Sequence, residues 1–360
     1  MTKQNKTYPD TAFEVTNKTN IVVESRNICP VCGGNGDIFL TDCQDFIYGM
    51  TGRWTFQKCR NCYSLWLNPC PVRKCIPDLY PEQYYTHDQA SPLLRDKKTA
   101  LARLTHAAKL AILEKKFGYR GLTNSTDSPI GIKLGWLLSY LPIVTNRAGY
   151  TIRFIRSCPQ GKLLEVGVGN GGYGQLMQSF GWQVDGIEPD AKAAQVAKER
   201  GLNVQIASVE EADIPLETYD AVVLHHVMEH IPDPKAAIHK LLKSLKPGGT
   251  LVSISPNPVG AIARTFSKKW YALDPPRHLV LPSPQGYQAM VAPYNIQVNI
   301  STTTQISFWM LRESLSIKQT GNVGQYHAKH LPLLGWFLCT LFLPVFPTIG
   351  EEVVCVVTKT

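Results

Sequence analysis

Three groups of residues in this 360-residue chain have types and spacings that could do chemistry. The first is the run Leu163-Leu-Glu-Val-Gly-Val-Gly-Asn-Gly-Gly172, with glycines at 167, 169, 171 and 172 directly after an apolar stretch. Glycines are needed where a chain turns sharply and a ligand approaches the backbone. Dinucleotide enzymes use such a turn too, so the acids around it decide what it binds. Glu165 sits just before the first glycine, where it would repel a pyrophosphate but accept a sulfonium ligand carrying an amino group. Glu188 follows about 20 residues later, placed to accept both hydroxyls of a ribose. Ser208, Val209 and Glu210 lie where an adenine could rest against backbone and small side chains.

The second group is His225-His226-Val-Met-Glu229-His230, with His278 further on in Pro275-Pro-Arg-His-Leu. If a helical turn starts at residue 226, His226, Glu229 and His230 share one face at i, i+3 and i+4. Such a face could act as a general base or bind a divalent cation, and His278 could join it. The alternative is that Glu229 and His230 only cap and orient the turn. The third group is two Cys-x-x-Cys pairs, Cys29/Cys32 and Cys59/Cys62, with 26 residues between them. Each pair can give two thiolates to one tetrahedral zinc, and a closed set of four sulfurs reads as a structural site. The other six cysteines show no paired spacing, so the set reads as a metal site plus ordinary thiols in a reducing compartment.

The elements that must position these groups can be read from periodicity. Strands are expected over Lys162–Val166, Trp182–Ile187, Asn203–Ile206, Ala221–Leu224 and Thr250–Ile254. Helices alternate with them, running to Phe180, over Ala191–Arg200 and over Pro234–Leu245, the last stopped by Lys246-Pro-Gly-Gly. A late strand pair is expected at Ile296–Ile300 and Val353–Val357. This alternation is the pattern of an α/β fold with a mainly parallel, Rossmann-like sheet covered by helices on both faces. Upstream come a polar tail at 1–25, a zinc-ribbon-like module at 26–80 and a mostly helical cap at 81–158, broken between Gly121 and Pro129. The sheet domain occupies 159–360.

With these residues in place, 161–256 resembles class I S-adenosylmethionine-dependent methyltransferases. The resemblance rests on Glu165-x-Gly167-x-Gly169-x-Gly171, Gly186-Ile-Glu188-Pro-Asp190, Tyr219-Asp-Ala-Val-Val and Leu245-Lys-Pro-Gly-Gly249, with Val227-Met-Glu-His-Ile-Pro-Asp-Pro234 after the fourth strand. It implies that S-adenosylmethionine is the cofactor. Glu165, Gly167, Gly169 and Gly171 would surround its methionine part, Glu188 would hold the ribose, and Ser208, Val209 and Glu210 would lie near the adenine. The acceptor-side segment resembles the Glu-x-x-Glu-His metal triad of 3-demethylubiquinol and small-RNA 2′-O-methyltransferases, with His226 in place of the first Glu. Cys59-x-x-Cys62-Tyr-Ser-Leu-Trp-Leu-Asn-Pro, followed by Tyr80, Tyr84 and Tyr85, is similar to the N-terminal module of bacterial methyltransferases of cell-surface glycan and sugar pathways. Asp274-Pro-Pro-Arg is not the motif of amino-group DNA methyltransferases, because it follows the fifth strand and has Arg277 in place of an aromatic.

Composition narrows the substrate. Residues 1–160 hold 21 Lys+Arg against 12 Asp+Glu, whereas 161–360 hold 16 of each. The basic excess runs through Arg95, Lys97, Lys98, Arg103, Lys109, Lys115, Lys116 and Arg120, and could meet phosphates or be a solvated helix face. Two runs are strongly apolar, 131–144 and 331–349. Prolines at 332, 344 and 347 interrupt the second, and a strand follows it, so it reads as an interfacial hairpin, a lid over a lipidic acceptor, or a buried helix. The N-terminus lacks a signal-peptide pattern, which makes the cytoplasm the expected location, with peripheral membrane contact through 331–349 as an open alternative. The expectation is methyl transfer to oxygen or carbon of a small-molecule, sugar or lipid-linked acceptor. The rivals are an RNA methyltransferase that binds RNA through the zinc module and basic helix, and a non-catalytic binding protein that keeps the cofactor fold.

Overall fold

The computed structural model describes residues 21–80, 99–326, 330–343, 345 and 347–360. The tail up to residue 20, Tyr84, Tyr85, Arg95, Lys97, Lys98, Pro344 and Phe346 of the sequence reading lie outside the described residues.

The N-terminal part is a small β module. β1 (Val23–Glu24) pairs with β5 (Cys70–Pro71), while β2 (Gly36–Cys43), β3 (Trp54–Cys59) and β4 (Leu65–Leu67) form an antiparallel meander. Three helices follow: α1 (Ala100–Phe117), α2 (Pro129–Leu138) and α3 (Pro142–Thr151). Thr99 and Ser128 cap the first two by accepting backbone N–H bonds from Ala102 and Gly131.

The remainder alternates as the sequence predicts: β6 (Lys162–Val166), α4 (Gly172–Ser179), β7 (Gln183–Ile187), α5 (Ala191–Glu199), β8 (Asn203–Gln205), β9 (Tyr219–His225), α6 (Pro234–Ser244) and β10 (Leu245–Pro256). Then come α7 (Ala261–Phe266), β11 (Val280–Leu281), α8 (Pro284–Val291), β12 (Ile296–Thr303), α9 (Ser307–Thr320), α10 (His330–Phe342) and β13 (Glu352–Lys359). Where the sequence places a strand only from Thr250, β10 already pairs with β9 at Leu245↔Tyr219; the Lys246-Pro-Gly-Gly turn is a register shift inside the strand.

The large sheet has the order β12-β13-β10-β9-β6-β7-β8. β8, β7, β6, β9 and β10 are parallel; β13 is antiparallel to both neighbours and runs Ile296↔Lys359 to Thr303↔Glu352 against β12. This is a Rossmann-like α/β architecture, a mainly parallel sheet with one antiparallel strand beside its edge. From β6 the chain builds outward to β7 and β8, then returns to add β9 on the other side. The strand order therefore reverses between β6 and β9, and ligands of open α/β sheets bind at the carboxyl ends of the strands at such a point.

β11 does not join this sheet. It pairs with β4 and completes the four-stranded sheet β11-β4-β3-β2 of the N-terminal module. One apolar core runs through both parts, from Trp54, Phe56 and Trp66 to Leu224, Leu241 and Tyr287. The segment that carries His278 is thus held between the module and the large sheet.

Candidate active site

At the head of β6, Glu165 is buried to 1 % exposure. Its Oε1 accepts a 2.7 Å bond from the Arg153 guanidinium, which itself lies 3.7 Å over the Tyr173 ring. Its Oε2 is buried with no hydrogen-bond partner. Burial raises the Glu165 pKa, against the lowering effect of Arg153. A buried carboxylate oxygen in this condition fits an incoming ammonium group. Arg153 has a left-handed backbone (φ 49°), as does Phe154 (φ 59°), so the end of the helical cap is bent to deliver this guanidinium.

The turn after β6 is left-handed at Gly167 (φ 72°), Gly169 (φ 55°) and Gly171 (φ 81°). A Cβ at Gly171 would stand 3.0 Å from the Ala197 Cα of α5, so the turn and the helix can approach only without one. Glu188 accepts the Gly169 N–H at 2.8 Å and the Asp190 N–H at 3.0 Å, tying the loops after β6 and β7 into one edge. Ser208, Val209 and Glu210 follow the third parallel strand, with distinct surroundings. Ser208 Oγ donates to Glu211 at 2.9 Å, Val209 is buried, and Glu210 pairs with Arg73 of the module at 3.4 Å.

The acceptor side departs from the expected helical turn. Only Met228–His230 form a short 3₁₀ turn, and His226 precedes it with a left-handed backbone (φ 55°). His226 therefore does not share a helix face with Glu229 and His230. Its Nδ1 lies 3.3 Å from Glu229 Oε1 and its Nε2 lies 2.9 Å from Glu352 Oε1. Burial would depress its pKa, but the two carboxylates lift it to about 10. With a carboxylate on each nitrogen, the two acids favour the protonated ring, in which both nitrogens donate. Tyr150 donates to the same Glu352 Oε1 at 2.7 Å and lies 3.0 Å from His225 Nε2.

His230 and His278 are arranged differently. His230 Nδ1 lies 3.0 Å from the Arg277 carbonyl and 3.0 Å from the Tyr80 hydroxyl; His278 Nδ1 lies 2.8 Å from the Ala272 carbonyl. A carbonyl only accepts, so each Nδ1 carries a hydrogen, and Nε2 is the atom of each ring that can accept a proton or bind a cation. The rings meet edge-on, centroids 4.7 Å apart. Burial and His278 lower the His230 pKa to about 4, so the ring is neutral. Burial works against Glu229 ionising, but His226 holds its carboxyl near 2. Glu229 Oε2 is buried without a hydrogen-bond partner. One donor atom each from Glu229, His230 and His278 lie within 4.8 Å of one another, as do those of His225, His226 and Glu352. Two imidazoles and a carboxylate, with each outer ring nitrogen fixed by a carbonyl, match the donor chemistry of a divalent-cation site.

The module supports this side directly. Arg277 is fully buried and forms ion pairs with Asp45 of the module and with Asp274; its NH1 bonds Asp45 at 2.8 Å and its Nε bonds Asp274 at 3.0 Å. Leu67 N donates to the Leu279 carbonyl at 2.9 Å, and Leu279 N donates to the Glu229 carbonyl at 2.8 Å. Arg153, Tyr150, Asp45 and Glu352 are not legible as site residues from spacing. The one signal is Glu351-Glu352, two adjacent acids that open an otherwise Val-rich buried strand.

In the module, Cys29 Sγ lies 3.7 Å from Cys62 Sγ and Cys32 Sγ lies 3.3 Å from Cys59 Sγ, with all four sulfurs within 4.8 Å. Tetrahedral zinc with bonds of about 2.3 Å would hold its sulfurs about 3.8 Å apart. The Gly34 and Cys62 amides point at Cys32 Sγ and Cys59 Sγ, each at 3.4 Å. Hydrogen bonding to Cys29, aided by Ser64, pulls the Cys62 thiol below the usual cysteine range, towards the thiolate that a metal takes.

Residues 144–299 match a family model described as a methyltransferase domain. A ubiquinone biosynthesis O-methyltransferase of Erwinia tasmaniensis is 38% identical over 24% of this chain and 39% of its own. One from Alkalilimnicola ehrlichii is 32% identical over 29% and 46%. The chain thus spans about two fifths of the length of the curated relatives it matches. Among solved structures, phosphoethanolamine N-methyltransferase 2 of Haemonchus contortus in complex with S-adenosylmethionine superimposes with a TM-score of 0.45. It is 18% identical, over 87% of this chain and 70% of that one. With the reversal of strand order, the glycine turn and the acid that heads it, the family-model match shows that residues 144–299 carry a Rossmann-like, S-adenosylmethionine-dependent methyltransferase domain.

Proposed function

We propose that the protein moves a methyl group from S-adenosylmethionine to an oxygen or carbon acceptor on a small-molecule, sugar or lipid-linked substrate. The observation that carries this reading is the pairing, across the β6/β9 reversal, of a buried unpartnered Glu165 oxygen with two imidazoles whose Nδ1 atoms are held by carbonyls. Glu165 Oε2 would take the cofactor's ammonium, Glu188 its ribose, and the glycine turn would let the methionine part approach the backbone. The bound sulfonium supplies the activated methyl group, so the chain has only to align the acceptor and remove its proton. His230 Nε2 and His278 Nε2 are the lone pairs that can take it, as the acceptor bonds the methyl carbon and the C–S electron pair stays on sulfur.

In a metal-dependent variant of this reading, Glu229, His230 and His278 would instead hold a divalent cation, with His226 orienting Glu229; their Nε2 lone pairs would then bind the metal and the proton would pass to solvent. A cation there would lower the pKa of an acceptor hydroxyl. Cys29, Cys32, Cys59 and Cys62 would hold a structural zinc. The exposed face of α10, with Leu334, Phe337 and Leu341, would cover an apolar acceptor or touch a membrane surface, while Gly335 faces Leu311 of α9. Among the described residues no helix is long and apolar enough to cross a membrane.

Incubation with methyl-labelled S-adenosylmethionine and separated lipid, glycan and RNA fractions tests this reading. Label in lipid or glycan is the expected result. Label in RNA alone would replace the substrate class, and no label in any fraction would favour the non-catalytic alternative.

A further inference from the structure

We infer that α1 and α2 form a seat for a membrane surface with anionic headgroups, a surface distinct from the acceptor site. α2 is packed in the reverse of the usual order. Its small residues face inward: a Cβ at Gly131 would stand 2.5 Å from the Leu104 carbonyl of α1, and one at Gly135 would stand 2.2 Å from that of Ala108. Three of its large residues point outward, Ile130 71% exposed, Trp136 52% and Leu137 68%, while Ile132, Leu134 and Leu138 are half-buried; Tyr140, just beyond the helix, is 68% exposed. A soluble helix ordinarily buries its large apolar side chains. Here the glycines let two backbones pack closely and leave the apolar bulk on the surface.

The surrounding charge says what covers it. Between residues 99 and 157 there are nine Lys+Arg and two Asp+Glu. Both acids are engaged locally: Glu114 accepts from the Leu122 and Thr123 amides, and Asp127 from the Asn124 amide. The lysines stand at the rim of the apolar face. Lys115 Nζ donates to the Trp136 carbonyl at 3.3 Å and lies 4.1 Å from the Tyr140 ring centre, and Lys116 Nζ lies 5.0 Å from the same ring. Aromatic rings and lysine ammonium groups at the edge of an exposed aliphatic face suit the boundary between acyl chains and phosphate headgroups. α2 has ten residues, too few to span a bilayer, so the contact is interfacial. The next helix, α3, leads from this face to Tyr150 beside Glu352, so a membrane engaged here would lie near the acceptor side.

The test is co-sedimentation of the full chain with vesicles of phosphatidylglycerol and phosphatidylcholine, and with phosphatidylcholine alone, at low and high salt. The expected result is binding to the anionic vesicles that weakens with salt, and an about tenfold loss in Leu137→Glu. Leu137 is exposed, so the variant should keep its circular dichroism and its affinity for S-adenosylmethionine. A second variant, Lys115→Gln with Lys116→Gln, should lose binding to anionic vesicles selectively. No pelleting with anionic vesicles, or equal pelleting of native chain and Leu137→Glu, would overturn the inference. So would a lipid-free dimer, seen by light scattering, that Leu137→Glu dissociates.

Discussion

The two edges of the site are built from different materials. On the cofactor side, backbone does most of the work: three left-handed glycines, the Gly169 and Asp190 amides on Glu188, and one buried carboxylate with an unpartnered oxygen. All of it comes from one stretch of chain, Glu165 to Asp190, that spans the end of β6, β7 and the turns after both. On the acceptor side, side chains do the work, and they come from far apart in sequence. Asp45 reaches Arg277, Tyr80 reaches His230 and Tyr150 reaches Glu352. A backbone turn is encoded locally and tolerates loss of distant parts. A cluster of titratable groups needs every supporting element, because each unpaired buried charge is costly.

The comparison can be broken at several points. If the four cysteines hold the proposed zinc, the largest effect is expected from removing it. A strong chelator, or Cys59→Ser, should lower the melting temperature by more than about 10 °C in calorimetry, since structural zinc sites contribute folding energy outright. An unchanged melting temperature would make the module independent of metal.

Next comes Arg277→Met, which leaves Asp45 and Asp274 buried without their partner. The expected destabilisation is about 3–5 kcal/mol in urea titration. In the folded fraction, methyl transfer should fall much further than affinity for S-adenosylmethionine. Equal loss of both would erase the distinction between the two edges.

Glu351 offers a pH test on the acceptor side. It is buried, its Oε1 accepts the Ile262 amide at 3.2 Å, and burial raises its pKa to about 8. The native state therefore keeps a proton that the unfolded chain releases above about 4.5. The stability it contributes is present in full below that value and declines as pH rises towards 8. Glu351→Gln should remove most of this decline, which is about 3–4 kcal/mol between pH 5 and pH 8. A native chain as stable at pH 8 as at pH 5 would contradict the assignment.

The smallest change in stability is expected at the cofactor edge. Gly171→Ala forces a side chain into a left-handed position against the Ala197 Cα, at a cost of about 1–2 kcal/mol. Its affinity for S-adenosylmethionine should nevertheless fall at least tenfold, read by calorimetry, because the turn itself has to move.

What could be read from sequence follows the same division. The strands from β6 to β10, the glycine turn with Glu165 and Glu188, and the two cysteine pairs all depend on local spacing, and they stand close to where periodicity puts them. The supports of the acceptor side do not. Nothing in Asp45 announces a partner 232 residues away. Nothing in Val280–Leu281 announces that it will leave the large sheet for the module. His226 was misplaced because helical spacing assumes a right-handed backbone, and the chain is left-handed there. The outward face of α2 was equally hidden, since an apolar run does not reveal that its glycines take the buried side.

The most direct test of the methyltransferase assignment is titration calorimetry of S-adenosylhomocysteine into the native chain and into Glu165→Gln, with NADH as the competing nucleotide. The expected result is one site per chain in the native protein, at least about tenfold weaker in Glu165→Gln, with no heat from NADH. Binding of NADH in preference, or equal affinity in the two proteins, would contradict it.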